Sequence, residues 1–104
     1  MFNYEEMKER HLVLREFYLK YRKELTVYAG VVGEYYGKIT YEDYIKFSNE
    51  LSDDEFVGNY LGELLTESID ICKQILDGEM PLEELFSYAG YEILNTYKEK
   101  IANC

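Results

Sequence analysis

Along the first third of the chain, Met7, His11, Leu14, Tyr18, Tyr21, Leu25, Tyr28, Val32, Tyr35 and Ile39 recur in alternating steps of four and three. That spacing keeps them on one face of an α-helix, as in a helix packed lengthwise along its neighbours. It predicts a first helix over about 4–36. Such a helix is long for a small chain, and Gly30 and Gly33 are the positions where it would break or kink.

Helix starts share one device. A hydrophobic residue precedes a small polar cap, an acid follows three places on, and a second hydrophobic residue comes after that. Phe2-Asn3-Tyr4-Glu5-Glu6-Met7, Ile39-Thr40-Tyr41-Glu42-Asp43-Tyr44 and Leu51-Ser52-Asp53-Asp54-Glu55-Phe56 all fit. The cap and the acid satisfy free N–H groups, and the apolar pair fixes the angle at which the chain enters the helix. Acids in the first turn also oppose the positive helix end. Met80-Pro81-Leu82-Glu83-Glu84-Leu85 starts a helix with proline instead. Gly37 and Gly78 stand where helix stops belong. Three further helices are therefore predicted, at about 41–51, 53–77 and 82–102.

Gly37–Tyr44 echoes Gly78–Leu85. A duplicated hairpin would produce that echo, and so would stop-then-cap chemistry used twice; the second is the simpler source. The expected fold is all-α, a four-helix up-and-down bundle or paired helical hairpins with a long first helix, forming a single acidic helical domain over 1–104.

Composition supports a folded chain. Its 104 residues are 47% apolar, enough for one core, with a single proline. No apolar run approaches the roughly 20 residues of a membrane span. The start has neither the basic nor the apolar region of a signal peptide. Richness in Lys, Glu, Ile, Tyr and Asn points to an AT-rich bacterial or phage genome. The expected location is the cytoplasm of a bacterial host cell. The net charge of −10 repels nucleic acid and anionic lipid. Neither direct nucleic-acid binding nor membrane binding is expected.

Catalytic chemistry is sparse. His11 lies on the apolar seam and reads as a core or boundary histidine. Cys72 lies in an apolar helical stripe and Cys104 is the last residue, so a disulfide between them is not expected. Three widely spaced Cys and His residues make no zinc site. Asp53-Asp54-Glu55-Phe56-Val57-Gly58 resembles the start of a calcium loop, but Leu64 stands where the bidentate glutamate belongs. No catalytic residue, metal or cofactor is predicted, and the chain is read as a non-enzyme.

Two features remain. The first is segregated charge. Residues 1–24 carry six bases and five acids, while residues 25–104 carry five and sixteen. In the third predicted helix Glu63, Glu67, Asp70 and Asp77 share a narrow strip, opposite Val57, Leu61, Leu64, Leu65, Cys72 and Ile75. Like charges so spaced cost about 0.2–0.5 kcal/mol per pair. A solvated face is the plain reading of the strip. The functional one is an acidic rail that engages a positive groove of the kind that holds nucleic acid.

The second feature is tyrosine, twelve residues with no tryptophan. In the last helix Leu82, Leu85, Phe86, Ala89, Ile93 and Tyr97 form the apolar face. Tyr88 and Tyr91 point away from it, beside Glu84 and Glu92. Exposed tyrosines are good contact residues. Leu12 and Leu19 fall off the first seam and are candidates for self-association.

The expected function is a small acidic protein that stoichiometrically blocks a basic partner, a nuclease or other nucleic-acid-binding protein. Phage counter-defence proteins of the anti-CRISPR kind and toxin-immunity proteins are two settings for such a mechanism; no family motif is present. The expected contact set is Glu63, Glu67, Asp70, Asp77, Glu84, Tyr88, Tyr91 and Glu92. One alternative is a homo-oligomeric helical adaptor or regulatory domain, a homodimer through Leu12 and Leu19. Another is a small-ligand carrier or enzyme with a tyrosine-lined pocket.

Overall fold

The computed structural model describes residues 3–65 and 68–103, apart from the side chain of Glu63. These residues form an all-α fold without strands, the class that the hydrophobic spacing predicts. Its elements are α1 (Tyr4–Lys20), α2 (Arg22–Tyr35), α3 (Tyr41–Asn49), α4 (Asp53–Phe56), a π-helical turn (Val57–Leu61), α5 (Gly62–Leu65), α6 (Ile69–Leu76), α7 (Leu82–Ser87) and α8 (Tyr91–Ala102).

The helix starts follow the local chemistry. Asn3 Oδ1 accepts the Glu6 N–H at 2.8 Å, and Thr40 Oγ1 accepts the Asp43 N–H at 3.2 Å. Ser52 and Glu55 exchange a reciprocal pair at 3.2 and 3.3 Å, a complete capping box. Phe2, the outer member of the first apolar pair, lies outside the described residues. Pro81 takes the cap position itself, and the helix begins at Leu82. Both predicted stops end in the same motif. Gly37 and Gly78 adopt φ of +71° and +81°, while Lys38 N–H reaches Gly33 O and Glu79 N–H reaches Gln74 O, each at 2.9 Å.

Three of the predicted helices are interrupted. The first breaks at Tyr21, where φ and ψ are −122° and 39°, and not at Gly30 or Gly33. Beyond the break the chain changes partners. Helix α1 packs on α6 and the π turn, whereas α2 lies between α3 and α8. One straight rod cannot serve both sets. Gly30 is needed for close packing instead: a Cβ there would stand 3.0 Å from Tyr41 Cδ2 and 3.3 Å from Tyr44 Cδ1. The predicted 53–77 helix runs through the π turn with its backbone still helical and has left that geometry at Ser68, where φ and ψ are −112° and 18°; Thr66 and Glu67 lie outside the described residues. The predicted 82–102 helix divides at Gly90, whose φ of +108° and ψ of 159° are open in practice only to glycine.

The core is continuous and aromatic. Phe17, Phe56 and Phe86 are its largest fully buried side chains, with Leu25, Val57, Leu61, Cys72 and Ile75 around them. Tyr18 stacks on Phe56 at 4.7 Å, and Tyr28 on Phe86 at 4.2 Å. Each such ring pair contributes about 0.5–1.5 kcal/mol beyond its buried area. The apolar stripe of the 53–77 segment holds, with Val57, Leu61, Leu65, Cys72 and Ile75 buried and Leu64 half-buried. So does that of the last segment, through Leu85, Phe86, Ile93 and Tyr97. The first seam holds only in its middle. Leu14, Tyr18, Leu25 and Tyr28 are buried, but Met7 and Tyr35 are exposed.

Candidate functional site

Two groups of acids stand in contrast. Those at the start of α4 are occupied within the fold. Asp53 pairs with Arg22 at 2.7 Å; Asp54 meets Arg15 at 3.1 Å and His11 at 3.6 Å. Asp53 and Asp54 also lie in the first turn of α4, where the helix end favours them. The calcium-like acids of the sequence are thus capping and tethering groups. His11 is half-buried at the α1–α4 boundary, as its place on the seam implies.

The second group is left to solvent. From Gln74 through Tyr97 the chain carries Asp77, Glu79, Glu83, Glu84 and Glu92 and no base. All five are exposed, and none forms an ion pair among the described residues. The α6–α7–α8 corner that bears them also presents Tyr88 and Tyr91, 65% and 79% exposed. Glu84 in the first turn of α7 and Tyr88 at its C-cap stand four residues apart. The turn at Gly90 then places Tyr91 and Glu92 at the start of α8.

Two further tyrosines join this corner that the sequence pattern had assigned elsewhere or passed over. Tyr35 and Tyr36 are 53% and 63% exposed and meet edge-on at 5.2 Å. The Glu92 carboxylate, as acceptor and as charge, holds the Tyr35 phenol above its ordinary pKa. The contact ties the end of α2 to the start of α8.

The predicted acidic rail is only partly visible. Glu67 and the side chain of Glu63 lie outside what is described. Asp70 and Asp77 are exposed on α6. Asp70, however, shares a shallow cleft with Glu6, Glu9, Arg10 and Lys73, and Lys73 stands 3.6 Å from Glu9. Charge at that end is therefore mixed. Of the strip positions, Asp77 is the one that lies in the base-free stretch from Gln74 to Tyr97. Leu12 and Leu19, two turns apart on α1, are 55% and 45% exposed.

A separate concavity of about 430 Å³ opens between α2, α3 and the π turn. Ala29, Gly33, Tyr44, Phe47, Tyr60 and Lys38 are among the residues that line it. It is an open groove, where a tyrosine-lined pocket was one of the sequence expectations. Burial pushes the Tyr28 phenol and the Cys72 thiol each up to about 12 and raises Tyr44 further. A thiol so held is protonated and a poor nucleophile near neutrality. Among the described residues no helix is long and apolar enough to cross a membrane, and no three His, Cys, Asp or Glu side chains cluster as metal ligands.

No protein-family model, curated protein or solved structure matches this chain.

Proposed function

We propose that the protein is a small acidic binding module that docks on a cationic protein surface and blocks it stoichiometrically. The observation that carries this reading is the α6–α8 corner, where five exposed carboxylates share a base-free stretch with two exposed tyrosines. Unpaired carboxylates generate a negative field that speeds encounter with a basic surface. Tyrosines bring stiff contact area with a hydrogen-bonding tip, and they slow dissociation once docked. The partner class that suits both is a nuclease or nucleic-acid-binding protein, whose own groove is built to receive closely spaced negative charge. Action in the cytoplasm of a bacterial host cell, in a counter-defence or toxin-immunity setting, belongs to the same proposal.

The test is capture of basic proteins from a bacterial lysate by wild type and by two variants, Glu83→Lys/Glu84→Lys and Tyr88→Ala/Tyr91→Ala. A captured nucleic-acid-binding protein should fall away as salt rises, be displaced by nucleic acid, and be lost from both variants. Capture that is indifferent to salt, to nucleic acid and to charge reversal would refute the proposal.

A further inference from the structure

The groove between α2, α3 and the π turn is built differently from the acidic corner. Its floor is formed by Ala29 and Gly33, four residues apart on α2, with Ile39 packed so close that a Cβ at Gly33 would stand 3.2 Å from its Cγ2. Its walls are high because Tyr44 and Phe47 come from α3 and Tyr60 from the π turn. Tyr60 meets Tyr44 edge-on at 5.8 Å and Phe47 edge-on at 5.9 Å. Phe47 remains 42% exposed, so one wall lacks an intramolecular cover. Tyr44 is 5% exposed, and its hydroxyl has no hydrogen-bond partner among the described residues. A π turn costs regular helical bonding and recurs at functional sites. Here it brings Asn59 and Tyr60 to the groove.

Size and charge narrow the occupant. About 430 Å³ falls within the range of small-molecule sites, roughly 300–1,000 Å³. The lining carries one charged side chain, Lys38, and one amide, Asn59, on otherwise apolar and aromatic walls. Lys38 is exposed and has no ion pair among the described residues, in a chain with ten excess acids. A free cation at the mouth of an apolar groove opposes a basic peptide and favours an anion with an apolar body.

We propose that this groove binds a small apolar carboxylic acid. Its body lies against Tyr44, Phe47 and Tyr60, and its carboxylate pairs with Lys38, with the Asn59 amide as a second donor. The inference does not rest on the acidic corner, and either can fail alone.

The experiment titrates the whole protein with naphthoate and with the uncharged naphthamide, followed by calorimetry and heteronuclear NMR. Naphthoate should bind saturably at one site, shifting resonances of Val32, Ile39, Phe47 and Tyr60, and naphthamide should bind about tenfold more weakly. Lys38→Met, which keeps an apolar stem, should weaken naphthoate about tenfold and leave naphthamide unchanged. Asn59→Trp, which fills the groove from its exposed rim, should abolish both. Should that variant misfold, the exposed Lys38→Met substitution still decides. Absence of saturable binding, equal affinity for the two probes, or indifference to Lys38→Met would each overturn the proposal. So would shifts located elsewhere, or groove shifts driven by protein concentration alone, which would make a second copy of the chain the occupant.

Discussion

Replacing Tyr44 with phenylalanine should stabilise the protein, and the structure supplies the size of the effect. The Tyr44 ring meets Phe56 edge-on at 6.3 Å and Tyr60 at 5.8 Å, and it lies against Gly30. Phenylalanine retains all of those contacts. What it removes is a hydroxyl that is shut away from solvent and bonded to nothing among the described residues. Burying such a group without a partner costs about 1–3 kcal/mol in proteins. The void left by one oxygen costs a few tenths of a kcal/mol, at about 24 cal/mol per Å³ of cavity. The first term wins, for a net gain of about 1–2 kcal/mol. In a domain of this size each kcal/mol moves the melting point by about 4–8 °C. Urea unfolding of wild type and Tyr44→Phe should therefore give a higher midpoint at unchanged slope. A lower midpoint at the same slope would mean that the hydroxyl has a stabilising partner, and the argument from its isolation would fall.

Two other outcomes are expected. Burial pushes Tyr28 and Cys72 up to about 12 and raises Tyr44 too, from ordinary values of 10 for the phenols and 9 for the thiol. A raised folded pKa gives stability that is whole below the unfolded value and lost as pH climbs through the folded one, so the urea midpoint should hold to about pH 9 and fall steadily toward pH 12; a flat midpoint across that window would contradict the burial of these groups. If Leu12 and Leu19 mark a self-association face, light scattering should give a dimer that Leu12→Asp or Leu19→Asp dissociates, and a monomer at high concentration would remove that reading.

Much of the local structure was legible because it is decided within a few residues. The caps at Asn3, Thr40 and Ser52 and the stops at Gly37 and Gly78 require only neighbouring donors, acceptors and a permitted backbone angle. The break at Tyr21 was not legible. Nothing in Leu19-Lys20-Tyr21-Arg22 forbids a helix; the change of packing partner between α1 and α2 makes the turn. The same cause misplaced Tyr35. The seam was carried through as one helix, yet α2 ends there, and the residue faces solvent and Glu92. Val27 and Val31 are buried off the seam because α3 and α8 cover α2 on two sides. Gly90 carried a readable signal in its position and was absorbed into an otherwise regular pattern. The groove needed three elements brought together, although the small pair Ala29 and Gly33 against the aromatic pair Tyr44 and Phe47 was visible in hindsight of the fold.

For the candidate surface, Tyr88 and Tyr91 stand exposed where their place off the apolar face put them, while the strip of α6 proved mixed. The reason lies in how the few bases are used. Arg15 and Arg22 tether Asp54 and Asp53, and Lys73 reaches Glu9, so three of the bases are used between helices. Such exposed pairs contribute at most about 1 kcal/mol each, so their placement says more about field than about stability. They cancel part of the negative charge of α1 and α4, while Asp77, Glu79, Glu83, Glu84 and Glu92 stay unpaired among the described residues, as do Glu16, Glu42 and Glu50 elsewhere on the surface. What sets the five apart is the stretch from Gln74 to Tyr97, which holds no base to answer them. Beside Tyr88 and Tyr91 they keep a mutual repulsion next to exposed contact residues. A cationic partner is what relieves it, and a Glu79→Lys variant, placed in the loop between α6 and α7 and so clear of the helix starts that favour acids, tests this in the absence of any partner: removing local repulsion should leave the free protein as stable as wild type or more so, whereas a clear loss of stability would assign that carboxylate to the fold.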